Sequence, residues 1–279
     1  MTIISRDQLI KALGNNSSRF IIDKASIAPQ TVGSFVSLWR ATGQPGQGAI
    51  PTTAAVVDNT TLGTMNFAQQ SGNIKSYIGY FSVATGNAVT TVEIHDRLMH
   101  MGGLNGTLTT AQTVNLDLSA NLSNSNLAER IGDADYSDIN WWLEWYTATG
   151  ATASNATVNV TYNDGTTGSL TATALAATRP ASHMISLNTL VPSTSSGKFI
   201  RAVNSVTLSA STGTAGNFGV TATRIRADLS TLVANLKVSA NWADLGLPEI
   251  KNSSGLFPIV LTPTTSSGTV RGGGKIIHG

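Results

Sequence analysis

The sequence predicts an all-β protein: an antiparallel, jelly-roll-like β-sandwich preceded by a short N-terminal helix and an extended arm. After residue 50 most of the chain alternates apolar and polar residues with a period of two, as strands with one buried face do. These runs are short and are separated by turns rich in Gly, Asn and Asp, which is typical of sandwiches and jelly rolls. We therefore expect an arm over residues 1–50 and a sandwich over residues 51–279, with two packed sub-domains as an option.

The N-terminal helix is predicted by the segment "SRDQLIKAL". Ser5 is a suitable N-cap, Gln8 follows three residues later, and Leu9, Ile10 and Leu13 supply apolar side chains. A helix of about two turns is marginal by itself in water. We therefore expect these three apolar residues to dock on a neighbouring subunit.

Four later segments predict strands joined by turns. The strongest hairpin signal is Asp164-Gly165, which can adopt the positive φ angles of a type I′ turn. A Gly-Asn turn separates two further strands, and two more hairpins are expected, the first with Gly213 and Gly216 in its loop. The segments are "KSYIGYFSVATGNAVTTVEIHDRL", "TVNVTYNDGTTGSLTATAL", "NSVTLSASTGTAGNFGVTATRIR" and "LFPIVLTPTTSSGTVRGGGKIIH". A second helical stretch is expected at "NSNLAERIG".

The segment "NWWLEWYTATG" holds three of the chain's five tryptophans. In a strand, Trp141, Leu143 and Trp145 share one face, while Trp142 and Tyr146 share the other. We expect the first face to lie in the core, and Trp142 and Tyr146 to lie under a partner chain or the folded-back arm. The alternatives are a central strand covered by a loop and a platform on which sugars stack.

The composition limits the classes of function. Charged residues are 11% of the chain, against about 25% in ordinary soluble domains, and the net charge is only +2. A surface so weakly charged suits a covered subunit better than a free monomer, so we expect a homo-oligomer, with a trimer as one option. The absence of cysteine excludes disulfides and thiolate chemistry and fits folding in a reducing cytoplasm. Neither a membrane span nor a signal peptide is expected.

Two clusters could hold a metal ion. In "EIHDRLMHMGG", Glu93 and His95 share a strand face and Asp96 and His100 lie nearby, but no third ligand has a recognisable spacing. We therefore expect hydrogen-bonding groups where a strand turns into a loop.

In "GDADYSD", the aspartates Asp133, Asp135 and Asp138 have a spacing similar to a calcium loop but lack its glycine and terminal glutamate. Local turn chemistry is the preferred interpretation. No nucleophile or phosphate-binding motif is present, so we expect no catalytic centre and no cofactor.

Charge is distributed unevenly along the chain. Residues 165–227 contain no acid, whereas residues 129–144 contain five. Such patches could set the register between subunits or neutralise each other inside one subunit. Five cations over 63 residues are too few to predict binding to nucleic acid. The basic residues are Arg179, Lys198, Arg201, Arg224 and Arg226, and the acidic ones are Glu129, Asp133, Asp135, Asp138 and Glu144.

Taken together, the segments "SRDQLIKAL", "SLWRATGQPGQGAIP" and "WWLEWYTATGATASNATVNVTYNDG" resemble virion structural proteins of tailed bacteriophages. The resemblance runs over most of the chain but has no motif of fixed role, so it assigns no functional residue. It implies a capsid decoration protein in the virion that contacts other phage structural proteins such as the major capsid protein. The alternatives are a tail tube, tail-tip or fibre component, and a carbohydrate-binding β-sandwich.

Overall fold

The computed structural model describes residues 3–133, 135–170, 173–175 and 178–279. Its helices are short: α1 (Arg6–Asn15), α2 (Ser125–Ala128) and α3 (Trp242–Leu245). The Ser5 hydroxyl accepts a hydrogen bond from the Gln8 amide, which confirms the predicted N-cap. Single 3-10 turns occupy Leu38–Arg40, Ser119–Asn121, Asn188–Leu190 and Ser193–Ser195. Within the described residues, no helix has the length and apolar character needed to cross a membrane.

The strands are antiparallel wherever a pairing is described. The first nine are β1 (Ser17–Lys24), β2 (Ser34–Ser37), β3 (Gly43–Gln44), β4 (Ala55–Val56), β5 (Ser76–Thr85), β6 (Thr90–Leu104), β7 (Gln112–Asp117), β8 (Asn140–Thr147) and β9 (Ser154–Tyr162). The others are β10 (Thr167–Ser169), β11 (Thr173–Leu175), β12 (His183–Ser186), β13 (Ile200–Leu208), β14 (Asn217–Thr231), β15 (Val238–Asn241), β16 (Glu249–Ile250), β17 (Leu256–Thr262) and β18 (Val270–His278).

The chain divides into two compact units. Unit 1 comprises Met1–Ala49, Asp58–Asp96 and Ile225–Gly279, and unit 2 comprises Ile50–Val57 and Arg97–Arg224. The division differs from the predicted boundary at residue 50. The segment expected to form an extended arm contains β1, an inner strand that pairs with both β18 and β3. Alternate residues of β1, Phe20 and Ile22, are buried in the core of unit 1.

Unit 1 is built from two sheets around one core. One sheet has the order β15-β5-β18-β1-β3, with β16 also paired to β5, and in the other β17 pairs with both β2 and β6. The core contains side chains from both sheets, among them Ile22, Phe81 and Val260. It also encloses Lys24, whose amine donates hydrogen bonds to the carbonyl oxygens of Ala41 at 3.0 Å and Pro45 at 2.6 Å. Burial lowers the pKa of Lys24 to about 8.

Unit 2 has the same plan. In one sheet the order is β10-β9-β13-β7, with β11 also paired to β9, and elsewhere β8 lies between β14 and β12. Val158 and Val206 from the first sheet share a core with Trp145 and Val220 from the second. Antiparallel sheets that share a core in this way confirm the predicted β-sandwich.

Only one of the predicted hairpins forms, and its turn differs from the predicted type. Strands β9 and β10 pair around Asp164-Gly165. Gly165 alone has positive φ there, at 83°, and the Asp164 carboxylate accepts the Thr166 amide, so the turn is not type I′. At the other three turns the flanking strands exist but belong to different sheets: β5 and β6, β13 and β14, and β17 and β18.

Candidate functional site

The tryptophan-rich strand β8 is buried on both faces. Trp141 and Trp145 lie in the core of unit 2, which confirms that part of the prediction. The Trp141 indole donates a hydrogen bond to the Ile200 carbonyl at 2.8 Å, and the Trp145 ring stacks on Phe218 with centroids 5.5 Å apart. This face contributes large apolar area and is closed to ligands.

The opposite face of β8 carries a buried ion pair. The carboxylate of Glu144 accepts two hydrogen bonds from Arg97, at 3.2 and 2.7 Å. Arg97 also donates to the Tyr146 hydroxyl at 2.9 Å and, through Nε, to His100 Nδ1 at 2.9 Å, while Thr221 donates to Glu144. Bidentate contact between guanidinium and carboxylate gives this cluster a defined geometry.

Burial and charge set the protonation states of this cluster. Burial would lower the pKa of Arg97, but the Glu144 carboxylate raises it, so the guanidinium stays charged. Burial, then repulsion from Arg97, lowers the pKa of His100 to about 2, so this imidazole is neutral. Burial raises the pKa of Tyr146, which keeps its proton.

The expected partner contact at Trp142 and Tyr146 requires a correction. Both side chains are buried within this one chain, at 3% and 2% exposure. The Trp142 indole donates to Thr223 Oγ1 at 2.8 Å, and Tyr146 belongs to the Arg97 cluster. Little of either side chain is left for a partner or a sugar, because neighbouring parts of the same chain cover both.

The predicted basic interface residues are mostly paired inside their own unit. Arg201 lies 3.8 Å from Asp117, Arg224 contacts Asp138, and Arg226 lies 3.7 Å from Asp96. Of these three pairs, only Arg224 with Asp138 joins the basic and the acidic patch; the acids that pair with Arg201 and Arg226 lie outside residues 129–144.

Two further cations of this group also have local partners. Lys198 lies 2.8 Å from Asp164. Arg179 donates to His183 Nε2 at 3.0 Å, and burial lowers the pKa of Arg179. Neither side chain extends as a free charge toward a partner.

Helix α1 finds its apolar partner in the same chain. Leu9 packs with Ile277 of β18, and Leu13 is partly buried against the same cluster. Ile10 differs, with 59% of its surface exposed. Of the three residues expected to dock on a neighbour, Ile10 is the one left available.

The candidate metal ligands are used as hydrogen-bonding groups. His95 Nε2 lies 2.7 Å from Glu93 Oε2, and Asp96 accepts hydrogen bonds from the Ser254 hydroxyl and the Gly255 amide, both at 2.8 Å. Strand β6 continues to Leu104, so the expected loop at this point was wrong. In the part of the chain that the structure describes, no group of three His, Asp or Glu residues could hold a metal ion.

The aspartates of "GDADYSD" act in a turn. Asp135 Oδ1 accepts the Ser137 amide at 3.0 Å, and hydrogen bonds from Ser137 lower the pKa of Asp135. Asp138 pairs with Arg224, whereas Asp133 and Asp135 are exposed. This supports the turn interpretation.

A surface groove was missed by the sequence reasoning. It lies on the outer face of the six-stranded sheet of unit 1, has a volume of about 420 Å³, and has a floor made by the glycines at 272–274. A Cβ on Gly273 would collide with the Phe20 carbonyl, so this part of the floor has no side chain. We call it the basic groove, lined by Arg19, Tyr80, Ser82, Ala84, Lys237, Arg271, the three glycines and Lys275.

The charges of the basic groove come from residues far apart in sequence. Arg19 of β1 lies directly opposite Lys275 of β18. The Lys237 amine lies 5.7 Å from the centre of the Tyr80 ring, and hydrogen bonding to Lys237 lowers the pKa of Tyr80. Arg271 is paired with Asp23 at 3.2 Å. The sequence feature that could have indicated the groove is the run of three glycines between two cations in "RGGGK".

A second exposed feature is an apolar pair of loops in unit 1. Leu232, Val233 and Leu236 are 71%, 55% and 57% exposed, and Val89 on the other loop is 65% exposed. The loops adjoin, because the Asn235 amide donates to the Thr85 carbonyl at 2.7 Å. We call Val89, Leu232, Val233 and Leu236 the apolar tip.

No protein-family model and no curated protein matches the sequence. Solved structures that match include infectious bursal disease virus Gx strain, with 8% identity, a TM-score of 0.18, and 95% of this chain and 82% of that chain covered. The VP2 subviral particle of infectious bursal disease virus matches with 10% identity, a TM-score of 0.16, and 96% and 81% coverage. TM-scores this low do not establish a shared fold.

Proposed function

We propose that this chain is a structural protein of a virus particle, and more specifically a capsid decoration protein of a tailed bacteriophage that stabilises the head lattice through contacts between subunits. The observation that carries the proposal is the apolar tip. Adjoining loops that expose four large aliphatic side chains are typical of surfaces that another protein covers.

The distribution of charge supports the same role. Charged residues are 11% of the chain. Several of the cations form ion pairs within the chain, such as Arg97 with Glu144 and Arg224 with Asp138. A surface with few free charges has little to oppose association. The internal pairs neutralise these charges within each subunit.

The carbohydrate-binding alternative has lost its main support. It required the rings of β8 to form an open platform, and Trp142 and Tyr146 are buried. Tail tube, tail-tip and fibre remain the alternative positions in the virion.

A role without catalysis or cofactor is part of the proposal. It is tested by native mass spectrometry of the purified chain and of His95→Ala. A stoichiometric metal ion that is present in the parent chain and lost in the variant would contradict it.

The deciding experiment locates the chain in intact particles. Purified particles of the virus that encodes it are labelled with gold-conjugated antibodies to the chain and imaged by electron microscopy. Label over the head supports the decoration role, label on the tail favours the alternative positions, and the absence of the chain from particles contradicts the proposal.

A matched pair of variants then tests the apolar tip. Leu232→Ser with Leu236→Ser should reduce incorporation into particles without lowering the melting temperature, since both side chains are exposed. Leu62→Ser, at a residue that is 65% exposed elsewhere, is the control and should incorporate normally. Equal incorporation of all three proteins would show that the tip is not a contact.

A further inference from the structure

Three cations of unit 1 without a carboxylate partner line the basic groove. Within the described residues, Arg19, Lys237 and Lys275 have no carboxylate partner; Lys275 donates to the Leu13 carbonyl and Lys237 to Tyr80. The protein has only 17 lysines and arginines. Three unpaired cations around one groove are thus a large share of the charge that is free to bind a partner.

The arrangement of two of these cations is unfavourable when the groove is empty. Arg19 and Lys275 face each other across neighbouring strands, where like charges repel. An anion between them would remove this repulsion. The arginine fork suits a carboxylate, which it can bind through two hydrogen bonds.

Three exposed acids of unit 2 lie close together in the sequence. Glu129, Asp133 and Asp135 are exposed and, in the part of the chain that is described, none has an ion-pair partner. They fall within seven consecutive positions, next to the short helix α2. We call these three residues the acidic trio.

We propose that the basic groove binds the acidic trio of a second copy of this chain. Three unpaired cations then meet three unpaired carboxylates, and the bare glycine floor admits a turn that a side chain would block. The inference rests on the self-association included in the proposed function, and it names the two surfaces involved.

Such a contact joins two different surfaces, so each copy keeps one groove and one trio free for further copies. Contacts of this kind build rings or open arrays rather than closed pairs. Charge complementarity speeds the encounter and sets the register, and salt weakens it.

The test is sedimentation velocity of the full chain at low and high salt. The groove variant is Arg19→Glu with Lys275→Glu, and the trio variant is Glu129→Lys with Asp133→Lys. Each should weaken self-association about tenfold or more at low salt, with an unchanged circular dichroism spectrum and melting temperature.

Two controls make the result specific. Arg6→Glu with Lys11→Glu changes the net charge as much as the groove variant does, at exposed residues of helix α1 that do not line the groove, and should associate like the parent chain. Mixing the groove and trio variants should restore association, because the reversed trio of one variant faces the reversed groove of the other, and the unchanged trio faces the unchanged groove.

Three outcomes would overturn the inference: a parent chain that stays monomeric at low salt, a groove variant that associates normally, and a mixture that fails to associate. Binding of the parent chain to an oligonucleotide, lost in the groove variant while self-association persists, would assign the groove to nucleic acid instead. A groove variant that enters particles normally would refute this contact and leave the proposed function standing.

Discussion

Strand β8 of unit 2 and strands β1 and β18 of unit 1 are all inner strands, but they differ in the exposure of their charged residues. Both faces of β8 are buried, and its one acid, Glu144, is matched by the buried Arg97. The pair β1–β18 buries one face and carries the exposed Arg19 and Lys275 on the other. A strand covered on both sides must satisfy each polar group within the chain, whereas an open face can leave its charges for solvent or a partner.

The largest effects are expected where tryptophan is removed from either face of β8. Trp142→Ala and Trp145→Ala should each destabilise the protein by about 3–5 kcal/mol, because both side chains are buried. Ile21→Ala on the open face of β1, at a residue 54% exposed, should change stability by about 0.5 kcal/mol or less. Urea unfolding followed by circular dichroism measures all three. A stable Trp142→Ala variant that assembles poorly would restore the partner contact predicted from the sequence.

The next largest loss of stability is expected when the buried ion pair of β8 is broken, compared with the exposed ion pair of β1 and β18. Glu144→Gln should destabilise the protein by roughly 3 kcal/mol, since it leaves the Arg97 charge buried without a counter-charge. Asp23→Asn removes the partner of Arg271 on the open face and should cost less than about 1 kcal/mol, because that pair is exposed. Equal losses in urea unfolding would refute the contrast between the buried and the open face.

A smaller loss of stability is expected when Lys24, on the buried face of β1, is replaced. Lys24→Met should destabilise the protein by about 2 kcal/mol near neutral pH, because it leaves buried carbonyl oxygens without a donor. The lowered pKa of Lys24, about 8 against 10.5, means that the unfolded chain binds more protons between these values. The free energy of unfolding of the parent chain should therefore rise with pH through this window relative to the variant. A pH-independent difference would contradict the burial of a charged amine.

The smallest effect per residue is the loss of stability of unit 2 as the pH drops. Burial, followed by the charge of Arg179, lowers the pKa of His183 to about 4, and the pKa of His100 is about 2. Below the usual value of 6.5 the unfolded chain takes up protons that the folded chain does not, so stability falls as the pH drops. Each histidine should remove about 1.4 kcal/mol by about pH 5.5. His183→Gln should flatten the pH profile of the melting temperature, and an unchanged profile would argue against a neutral, buried imidazole.

The sequence predicted where strands lie better than which strands pair. Alternation is a local property, so β5, β9, β13 and β18 could be recognised from their own residues. A turn signal is local as well, and it does not distinguish a hairpin from a connection between two sheets. The turns after β5 and β17 therefore looked like the turn after β9, although only the last joins paired strands.

The same limit applies to the candidate site. Aromatic residues on both faces of β8 indicated double burial, but the residues that cover Tyr146 could not be inferred, because Arg97 lies 49 positions away. The basic groove was harder still. Arg19 and Lys275 are brought together only by the pairing of β1 with β18, and no sequence pattern within either strand predicts that pairing.

The pairing of β1 with β18 also has a consequence for synthesis. Ser17 pairs with Ile277, so β1 leaves the ribosome long before the neighbour that completes its sheet. Residues 97–224, by contrast, form most of unit 2 as one continuous stretch. Because domains fold as units while the chain is being made, unit 2 can fold first, and β1 has to wait, with an unpaired edge exposed, until β18 arrives.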